Sequence, residues 1–183
     1  MILLRHGATD AAGRCYGELD LPLSDEGRAQ AARVRLEPVE VVYSSPRQRA
    51  LETARIVKPD LEPRIEPALR EIDFGRFEGL TYDEAAALDP ELYARWMQTP
   101  TEVTFPGGES WPLLRDRVRQ FAAHARKLHD KILVVAHGGP LRALLAEALG
   151  LPDAHIFRID QSYAAVSIID WHGDVPLVKL VNG

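Results

Sequence analysis

Two histidines, each followed by a glycine, stand at the ends of two apolar runs. His6 follows Ile2-Leu3-Leu4-Arg5, and His137 follows the run 132–136, Ile-Leu-Val-Val-Ala. Short apolar runs of this kind predict buried strands, and strand carboxyl ends border the ligand crevice of an open α/β sheet. A single such histidine could be a surface residue after an edge strand. Two of them, on neighbouring parallel strands, would bring both imidazoles and the Arg5 guanidinium to one crevice.

Two further cations are predicted at the start of a helix. Ser45 can cap that helix and Pro46 can occupy its first position, which puts Arg47 and Arg49 in the first turn. Cations there are disfavoured by about 0.3–1 kcal/mol each, so their presence indicates a bound anion. Surface pairing with carboxylates such as Glu52 is the alternative, and it suits Arg47 better than Arg49.

These residue types favour phosphoryl transfer. The guanidinium fork matches phosphate oxygens, and a cationic cage stabilises their charge in the transition state. A neutral imidazole is a good nucleophile towards phosphorus, and the like charges of Arg5 and Arg49 would lower the pKa of a nearby histidine. A carboxylate from the loop 69–79 would protonate the leaving alkoxide and then activate water. That loop carries Glu71, Asp73 and Glu78.

Other hydrolases fit less well. In a metal hydrolase, His6, His137 and the loop acids would be ligands, but the helical His-Glu-x-x-His spacing is missing and the arginines would repel a divalent cation. A serine hydrolase would need a Gly-x-Ser-x-Gly elbow, which does not occur, and the phosphate loop of nucleotide hydrolases is also absent. We therefore expect no metal.

Composition narrows the class of protein. The 183 residues are 46% hydrophobic and 27% charged, which fits one globular domain over 1–183. A net charge of −5 argues against nucleic-acid and anionic-membrane partners, and no apolar run approaches the roughly 20 residues of a membrane span. Cys15 is the only cysteine, and Met1 leads into the first strand without a leader. We expect a cytoplasmic protein, monomeric or homodimeric.

Strand and helix patterns alternate along the chain, which predicts a three-layer α/β/α sandwich with a mostly parallel central sheet. The predicted helices begin at Ser24, at Ser45, at the Thr81/Glu84 capping box, at Pro90, at Ser110 and after His137. Besides the two His-Gly strands, the predicted strands are 39–43, 64–66, 156–159, 164–169 and 177–181. The loop 8–23 and the segment 99–108, a flap or a turn, should border the crevice.

Several motifs together resemble the histidine phosphatase superfamily, also called phosphoglycerate-mutase-like, and they occur in the family order over nearly the whole chain. They are Arg5-His6-Gly7, Ser44-Ser45-Pro46 with Arg49-Ala50 and Thr53-Ala54, Leu69-Arg70-Glu71 before Phe74-Gly75, Pro106-Gly107-Gly108-Glu109-Ser110, and Ala136-His137-Gly138. The resemblance implies a phosphohistidine mechanism without metal or other cofactor. It implies His6 as nucleophile and Glu71 as proton donor. The implied phosphate-binding residues are Arg5, Arg49, His137 and Gly138.

The chain departs from the family pattern at two places. Ala8 and Ala12 stand where the family often has a polar residue and an asparagine, so Thr9 or Arg14 would have to replace one phosphate contact. Gly139-Pro140 stands where the mutases usually have Gly-Asn.

The loop 13–23 resembles that of α-ribazole phosphatases of cobalamin synthesis. We therefore expect a phosphomonoesterase acting on a small phosphorylated metabolite, with α-ribazole 5′-phosphate first and a sugar phosphate or phosphoglycerate as rivals. A cofactor-dependent phosphoglycerate mutase and a non-catalytic phospho-ligand binding protein are the alternatives. The presence of both His6 and Glu71 argues against binding alone.

Overall fold

A six-stranded sheet forms the middle of the molecule, in the computed structural model that describes residues 1–11 and 13–183. Its strands are β1 (Ile2–Arg5), β2 (Val41–Ser44), β3 (Arg64–Ile65), β4 (Ile132–Ala136), β5 (Val166–His172) and β6 (Val175–Leu180). Their order across the sheet is β3-β2-β4-β1-β5-β6. β3, β2, β4 and β1 run parallel, whereas β5 and β6 form an antiparallel hairpin beside β1. The mostly parallel sheet is confirmed.

Six helices accompany this sheet, and four of them, the first two and the last two in chain order, cover its faces. They are α1 (Asp25–Arg33), α2 (Gln48–Val57), α3 (Tyr82–Leu88), α4 (Pro90–Gln98), α5 (Trp111–Leu128) and α6 (Gly138–Leu149). Short 3₁₀ helices span Pro67–Leu69, Gly75–Phe77 and Asp153–Arg158. No helix in the described part of the chain is long and apolar enough to cross a membrane.

The core is divided by the sheet because side chains alternate along each strand. Leu3 and Val134 face α5 and α6, whereas Leu4 and Val135 face α2. The central strands are therefore buried on both faces, as expected of parallel strands between helices. The predicted three-layer α/β/α sandwich is confirmed.

A smaller apolar cluster lies under α3 and α4. Its buried members are Cys15, Phe77, Ala85, Val103 and Phe105. The segment 99–108 contributes two of these side chains, so it is anchored by packing along part of its length. The Thr81/Glu84 capping box of α3 forms as predicted.

One predicted strand was wrong. Residues 156–159 lie in the 3₁₀ helix Asp153–Arg158 and its C-cap, not in a strand. Ile156 and Ile159 are both buried, and a spacing of three places two side chains on one face of a 3₁₀ helix. A short apolar run does not distinguish the two structures.

Candidate active site

The two histidines lie side by side at the carboxyl ends of neighbouring strands. β1 and β4 are paired in parallel, with Arg5 opposite Ala136, so the residue after each strand reaches the same edge of the sheet. The ring centroids of His6 and His137 are 5.0 Å apart, and both side chains are buried. The expected convergence of the two imidazoles is confirmed.

A backbone hydrogen bond fixes the tautomer of His6. Its Nδ1 lies 2.7 Å from the carbonyl oxygen of Gly7, which can only accept, so Nδ1 carries the proton and Nε2 keeps a lone pair. Burial, and then the charges of Arg49 and Arg5, hold the pKa of His6 well below its usual value. The imidazole is therefore neutral, as a nucleophile must be.

His137 has the opposite tautomer. Its Nδ1 accepts from Nε of Arg49 at 3.2 Å, and because a guanidinium only donates, this ring nitrogen is unprotonated. Nε2 then donates to Oγ of Ser45 at 2.8 Å. Ser45 was expected to cap α2, but that prediction was wrong: Arg47 is the N-cap, without a side-chain cap bond, and the serine hydroxyl holds His137. Burial, followed by the charge of Arg49, lowers the pKa of His137.

Arg49 is a fully buried cation in the first turn of α2. Its terminal nitrogens donate to the carbonyls of Leu19 at 2.8 Å and Gly17 at 3.1 Å. Throughout residues 1–11 and 13–183, no carboxylate oxygen lies within 4.0 Å of this guanidinium. Arg47 differs, because it pairs with Glu18. A buried cation without a counter-ion indicates that the site receives an anion.

Arg5 also faces this region without a carboxylate partner in the part of the chain described. Its guanidinium lies over the ring of Tyr163, 4.0 Å from the centroid, and donates to the carbonyl of Gln161. Its Nε is buried and has no hydrogen-bond partner. The Tyr163 ring in turn lies 5.6 Å from that of His6. Arg5 therefore keeps a free donor close to the histidines.

Glu71 is held at the amino end of α6, the helix capped by His137. Its Oε2 accepts from the backbone N–H of Gly139 at 3.1 Å, and its Oε1 accepts from that of Ile72 at 2.9 Å. A Cβ on Gly139 would lie 2.2 Å from Oε1, so glycine allows the close approach of the carboxylate. Gly138, the first residue of α6, is buried between His137 and this contact. Glu71 and His137 are thus brought to one helix end.

Arg142 is a third cation at the site that the sequence analysis missed. One turn along α6 from Gly138, its Nη1 lies 2.7 Å from the point a Cβ of Gly138 would occupy. Its Nε donates to the carbonyl of Ile159 at 3.0 Å, and burial lowers its pKa. The spacing of four residues from Gly138 was the available signal, because positions i and i+4 share one face of a helix.

Glu78, one of the three acids of the loop 69–79, has a structural role that its sequence position did not reveal. Its carboxylate accepts hydrogen bonds from four backbone N–H groups, those of Gly17, Glu18, Leu19 and Phe74, at 2.8–3.3 Å. The segment 17–19 also supplies carbonyls to Arg49. At Gly17 a Cβ would lie 1.8 Å from the carbonyl oxygen of Ile72, so the two loops touch directly. Glu78 therefore joins the loop that holds Arg49 to the loop that carries Glu71.

The sequence analysis expected Thr9 or Arg14 to replace a phosphate contact that Ala8 and Ala12 lack. Ala12, where the family often has an asparagine, lies outside the described residues. Thr9 is buried, and its hydroxyl bonds to Tyr16.

Among the residues described, no group of three or more His, Cys, Asp or Glu side chains is placed to hold a metal ion.

Comparison with known proteins gives one family. The family model of the histidine phosphatase superfamily (branch 1) matches residues 1–183. The chain is 34% identical over 179 residues to phosphoserine phosphatase 1 of Hydrogenobacter thermophilus, covering 92% of this chain and 85% of that protein. It is 36% identical over 194 residues to the bifunctional protein Rv2228c of Mycobacterium tuberculosis, covering all of this chain. The chain spans about half, 53%, of the length of that relative.

A solved structure extends the likeness to the fold. The crystal structure of the alpha-ribazole phosphatase from Shigella flexneri superposes with a TM-score of 0.90 at 28% identity, covering 100% of this chain and 95% of that one. Two of these three proteins, those of Hydrogenobacter thermophilus and Shigella flexneri, are named as phosphatases. With the phosphoglycerate-mutase-like fold and a family match over its full length, the chain belongs to the histidine phosphatase superfamily (branch 1).

Proposed function

We propose that residues 1–183 form one phosphomonoesterase domain that works through a phosphohistidine on His6, without a metal. The observation that carries this proposal is the pair of neutral, buried imidazoles beside Arg49, a buried cation with no carboxylate within 4.0 Å among the described residues. A phosphate dianion would supply the missing negative charge, and the planar guanidinium groups match its oxygens.

The tautomers define the roles in the first step. Nε2 of His6 attacks phosphorus, because Nδ1 is protonated and bonded to the Gly7 carbonyl. Arg5, Arg49 and His137 surround the phosphoryl oxygens, with the backbone N–H of Gly138 at the helix end. The Nε2 proton of His137, which Ser45 Oγ accepts in the structure, passes to a phosphoryl oxygen when the ester binds. The bond from phosphorus to the leaving oxygen breaks, and protonated Glu71 gives that oxygen its proton.

The second step returns the protein to its starting state. The Glu71 carboxylate takes a proton from water, whose oxygen attacks the phosphohistidine. The bond from phosphorus to Nε2 breaks, inorganic phosphate leaves, and Glu71 is again protonated. Displacement through an enzyme nucleophile divides one difficult hydrolysis into two easier transfers.

The test is hydrolysis of an aryl phosphate in the presence of a chelator. We expect full activity with chelator, and a loss of at least about 10³-fold in His6→Ala. His124→Ala is the matched control, since His124 is exposed on α5, and it should keep the wild-type rate. Retained turnover in His6→Ala would remove His6 from its role, and loss of activity on chelation would favour a metal hydrolase.

The same preparation separates the two alternatives. A cofactor-dependent mutase would isomerise phosphoglycerate when primed with bisphosphoglycerate, whereas a phosphatase releases inorganic phosphate. A phospho-ligand binding protein would bind these esters without turning them over.

For the substrate we propose α-ribazole 5′-phosphate, in a cytoplasmic monomer or homodimer. The loop 13–23 and the name of the Shigella flexneri neighbour support the substrate, and the cytoplasm fits a chain with a single cysteine that lies buried and unpaired. A panel containing α-ribazole 5′-phosphate, phosphoserine, phosphoglycerate and sugar phosphates tests it. A higher kcat/KM for another member would replace the substrate without affecting the phosphatase proposal.

A further inference from the structure

Two tyrosines connect the two arginines of the proposed phosphate cage. The Arg5 guanidinium lies over the ring of Tyr163, 4.0 Å from its centroid, and the Arg49 guanidinium lies over the ring of Tyr16, 4.8 Å from its centroid. The hydroxyl oxygens of Tyr16 and Tyr163 are 2.9 Å apart and share a hydrogen bond. We call this pair the tyrosine bridge, because it forms a continuous connection from Arg5 through both rings to Arg49.

The tyrosine bridge is part of a run of three hydroxyl groups with one direction. Thr9 Oγ1 donates to the hydroxyl oxygen of Tyr16 at 3.2 Å, so the Tyr16 O–H is available to donate to Tyr163. Burial raises the pKa of Tyr16 to about 12, and this hydroxyl therefore stays protonated at neutral pH. The bridge is thus unaffected by titration in the range where the imidazoles are neutral.

The tyrosine bridge contacts two like charges that lie near one imidazole. Arg49 and Arg5 both lower the pKa of His6, so both cations act on this ring. Neither has a carboxylate oxygen within 4.0 Å in the described part of the chain. The face of an aromatic ring attracts a cation without carrying a net charge. The two rings can therefore hold the guanidiniums in place and still leave their charge for a phosphate.

The segment that carries Tyr163 is held in an unusual backbone conformation. Among the described residues, only Ala164, with φ 56°, and Asn182, with φ 54°, have a positive φ without being glycine. Both belong to this region, since the N–H of Ala164 donates to the carbonyl of His6 at 3.2 Å, and the Asn182 side chain accepts from the N–H of Ser162 at 2.6 Å. Alanine rarely adopts this conformation, and such strain is often found at functional sites. The strained turn places Tyr163 beside His6.

Tyr16 is fixed in a comparable way at the other end of the bridge. Its backbone carbonyl accepts from the Arg49 guanidinium at 3.4 Å, and the N–H of the next residue, Gly17, donates to Glu78 at 2.8 Å. Arg49 is therefore bound both to the backbone of Tyr16 and to the face of its ring. Both ends of the bridge are set before a phosphate enters.

From the stacked and hydrogen-bonded arrangement of these four side chains we infer that Tyr16 and Tyr163 are positioning residues, which hold the Arg5 and Arg49 guanidiniums at the spacing that a phosphoryl group needs. This inference rests on the proposed phosphatase function, since it concerns the same cage. The tyrosines act through the arginines and take no part in the two chemical steps.

The hydrogen bond of the bridge is tested with Tyr16→Phe, Tyr163→Phe and the double variant, which keep both rings. Each single variant should weaken the binding of inorganic phosphate, and lower kcat/KM for an aryl phosphate, by about threefold to tenfold. The double variant should lose no more than the larger single effect, because both substitutions break the same bond. Single effects that multiply in the double variant would contradict the bridge.

Tyr93→Phe is the matched control for these substitutions. Tyr93 lies in α4 and packs edge-to-face on Trp96, with ring centroids 5.9 Å apart, in the apolar cluster under α3 and α4. The variant should keep the wild-type phosphate Kd and the wild-type kcat/KM. A loss equal to that of Tyr163→Phe would show that removal of any tyrosine hydroxyl has this effect, and it would overturn the inference.

A second cycle determines whether Tyr163 acts through Arg5. Tyr163→Leu removes the ring under the guanidinium and should weaken phosphate binding about threefold to thirtyfold in the otherwise wild-type protein. In an Arg5→Met background the same substitution should change the phosphate Kd by less than about twofold, because the cation that the ring holds is gone. A merely structural role would instead lower Tm and give the same loss of affinity in both backgrounds. That result, or no loss in either background, would overturn the inference.

Phosphate binding, measured by titration calorimetry, separates this inference from the proposed function. If the wild type binds phosphate but hydrolyses no ester, the proposed function fails and the phosphate affinities still decide about the bridge. If the wild type hydrolyses esters and the tyrosine variants keep its Kd and kcat/KM, the inference is overturned while the phosphatase function stands. A wild type that binds no phosphate would overturn both.

Discussion

Replacing Glu78 with glutamine should weaken both the fold and the reaction, because its carboxylate joins the two loops of the site. Its Oε1 accepts from the N–H groups of Gly17, Glu18 and Phe74, and its Oε2 accepts from those of Gly17 and Leu19. Glutamine keeps one acceptor oxygen. If that oxygen takes the Oε1 position, the amide nitrogen faces the N–H of Leu19, which loses its acceptor.

The expected loss of stability follows from these contacts. Hydrogen bonds to a charged group contribute about 1.5–3 kcal/mol, roughly twice those to a neutral acceptor. Because the amide can retain the bonds at one oxygen, the net free energy of unfolding should fall by about 2–3 kcal/mol. For a chain of this size each kcal/mol shifts Tm by about 2–4 °C, so Tm should fall by about 4–12 °C.

The effect on catalysis passes through Arg49. The segment held by Glu78 presents the carbonyls of Gly17 and Leu19 to the Arg49 guanidinium. A looser segment leaves this guanidinium less well positioned, and misplacement by about 1 Å can cost about 10²-fold in rate. We expect kcat/KM for an aryl phosphate to fall about tenfold to a hundredfold in Glu78→Gln, at a temperature where the variant remains folded by circular dichroism.

Glu84→Gln is the matched control, since Glu84 is exposed and accepts one backbone hydrogen bond, from Thr81 in the capping box of α3. Its ion pair with Arg14 at 3.7 Å joins two exposed side chains and contributes little. It should lose about 1 kcal/mol or less and keep the wild-type kcat/KM. If Glu78→Gln lowered Tm while kcat/KM stayed at the wild-type value, the coupling of Glu78 to Arg49 would be refuted. If neither changed, the backbone contacts of Glu78 would not be significant.

Four further predictions concern the histidines and the buried arginine. Burial, and then the charge of Arg49, lowers the pKa of His6. The acid limb of kcat/KM in a pH-rate profile should therefore lie below pH 6.5. An acid limb at or above that pH would contradict this lowering of the pKa. In the unfolded chain this imidazole binds a proton below about pH 6.5 while the folded one does not, so chemical denaturation should show its stabilising contribution in full above about pH 6.5 and its loss as the pH falls. Inorganic phosphate at about 100 times its Kd should stabilise the wild type by about 2.7 kcal/mol, which raises Tm by about 5–11 °C. The same phosphate concentration should not raise the Tm of Arg49→Met. An equal rise in both proteins would show that phosphate binds without Arg49. Ser45→Ala removes the acceptor of Nε2 of His137 and should lower kcat about tenfold. Ser44→Ala is the control and should keep the wild-type kcat, because the buried Ser44 hydroxyl bonds only to a backbone carbonyl. Equal kcat values in the two variants would show that the bond to Ser45 is dispensable.

The placement of the two histidines followed from the sequence because it depends on one topological fact. Buried parallel strands present their carboxyl ends at one edge, so two strands that end in His-Gly need only be neighbours to converge. The pairing of Arg5 with Ala136 satisfies this condition. The sequence does not specify which strands are neighbours. The apolar runs predict that both strands are buried in the centre of the sheet, however, and this leaves few other arrangements.

The contacts that the sequence did not reveal join residues far apart in the chain. Glu78 binds N–H groups about 60 residues earlier, and Ser45 holds a ring 92 residues later. Such contacts leave no periodic pattern. The prediction of Ser45 as a helix cap was plausible because serine followed by proline is typical of helix starts. It failed because α2 begins three residues later, at Gln48, with Arg47 as its N-cap.

The orientation of Glu71 explains how one site combines a cationic cage with a carboxylate. A carboxylate paired with Arg49 or Arg5 would neutralise the charge that a phosphate dianion needs. Glu71 instead directs its oxygens to the N–H groups of Gly139 and Ile72. The amino end of α6 carries partial positive charge and stabilises the carboxylate there without an arginine. In the proposed mechanism the cage thus keeps its charge for the substrate, and Glu71 is left free of arginine partners to give a proton to the leaving group and then recover it.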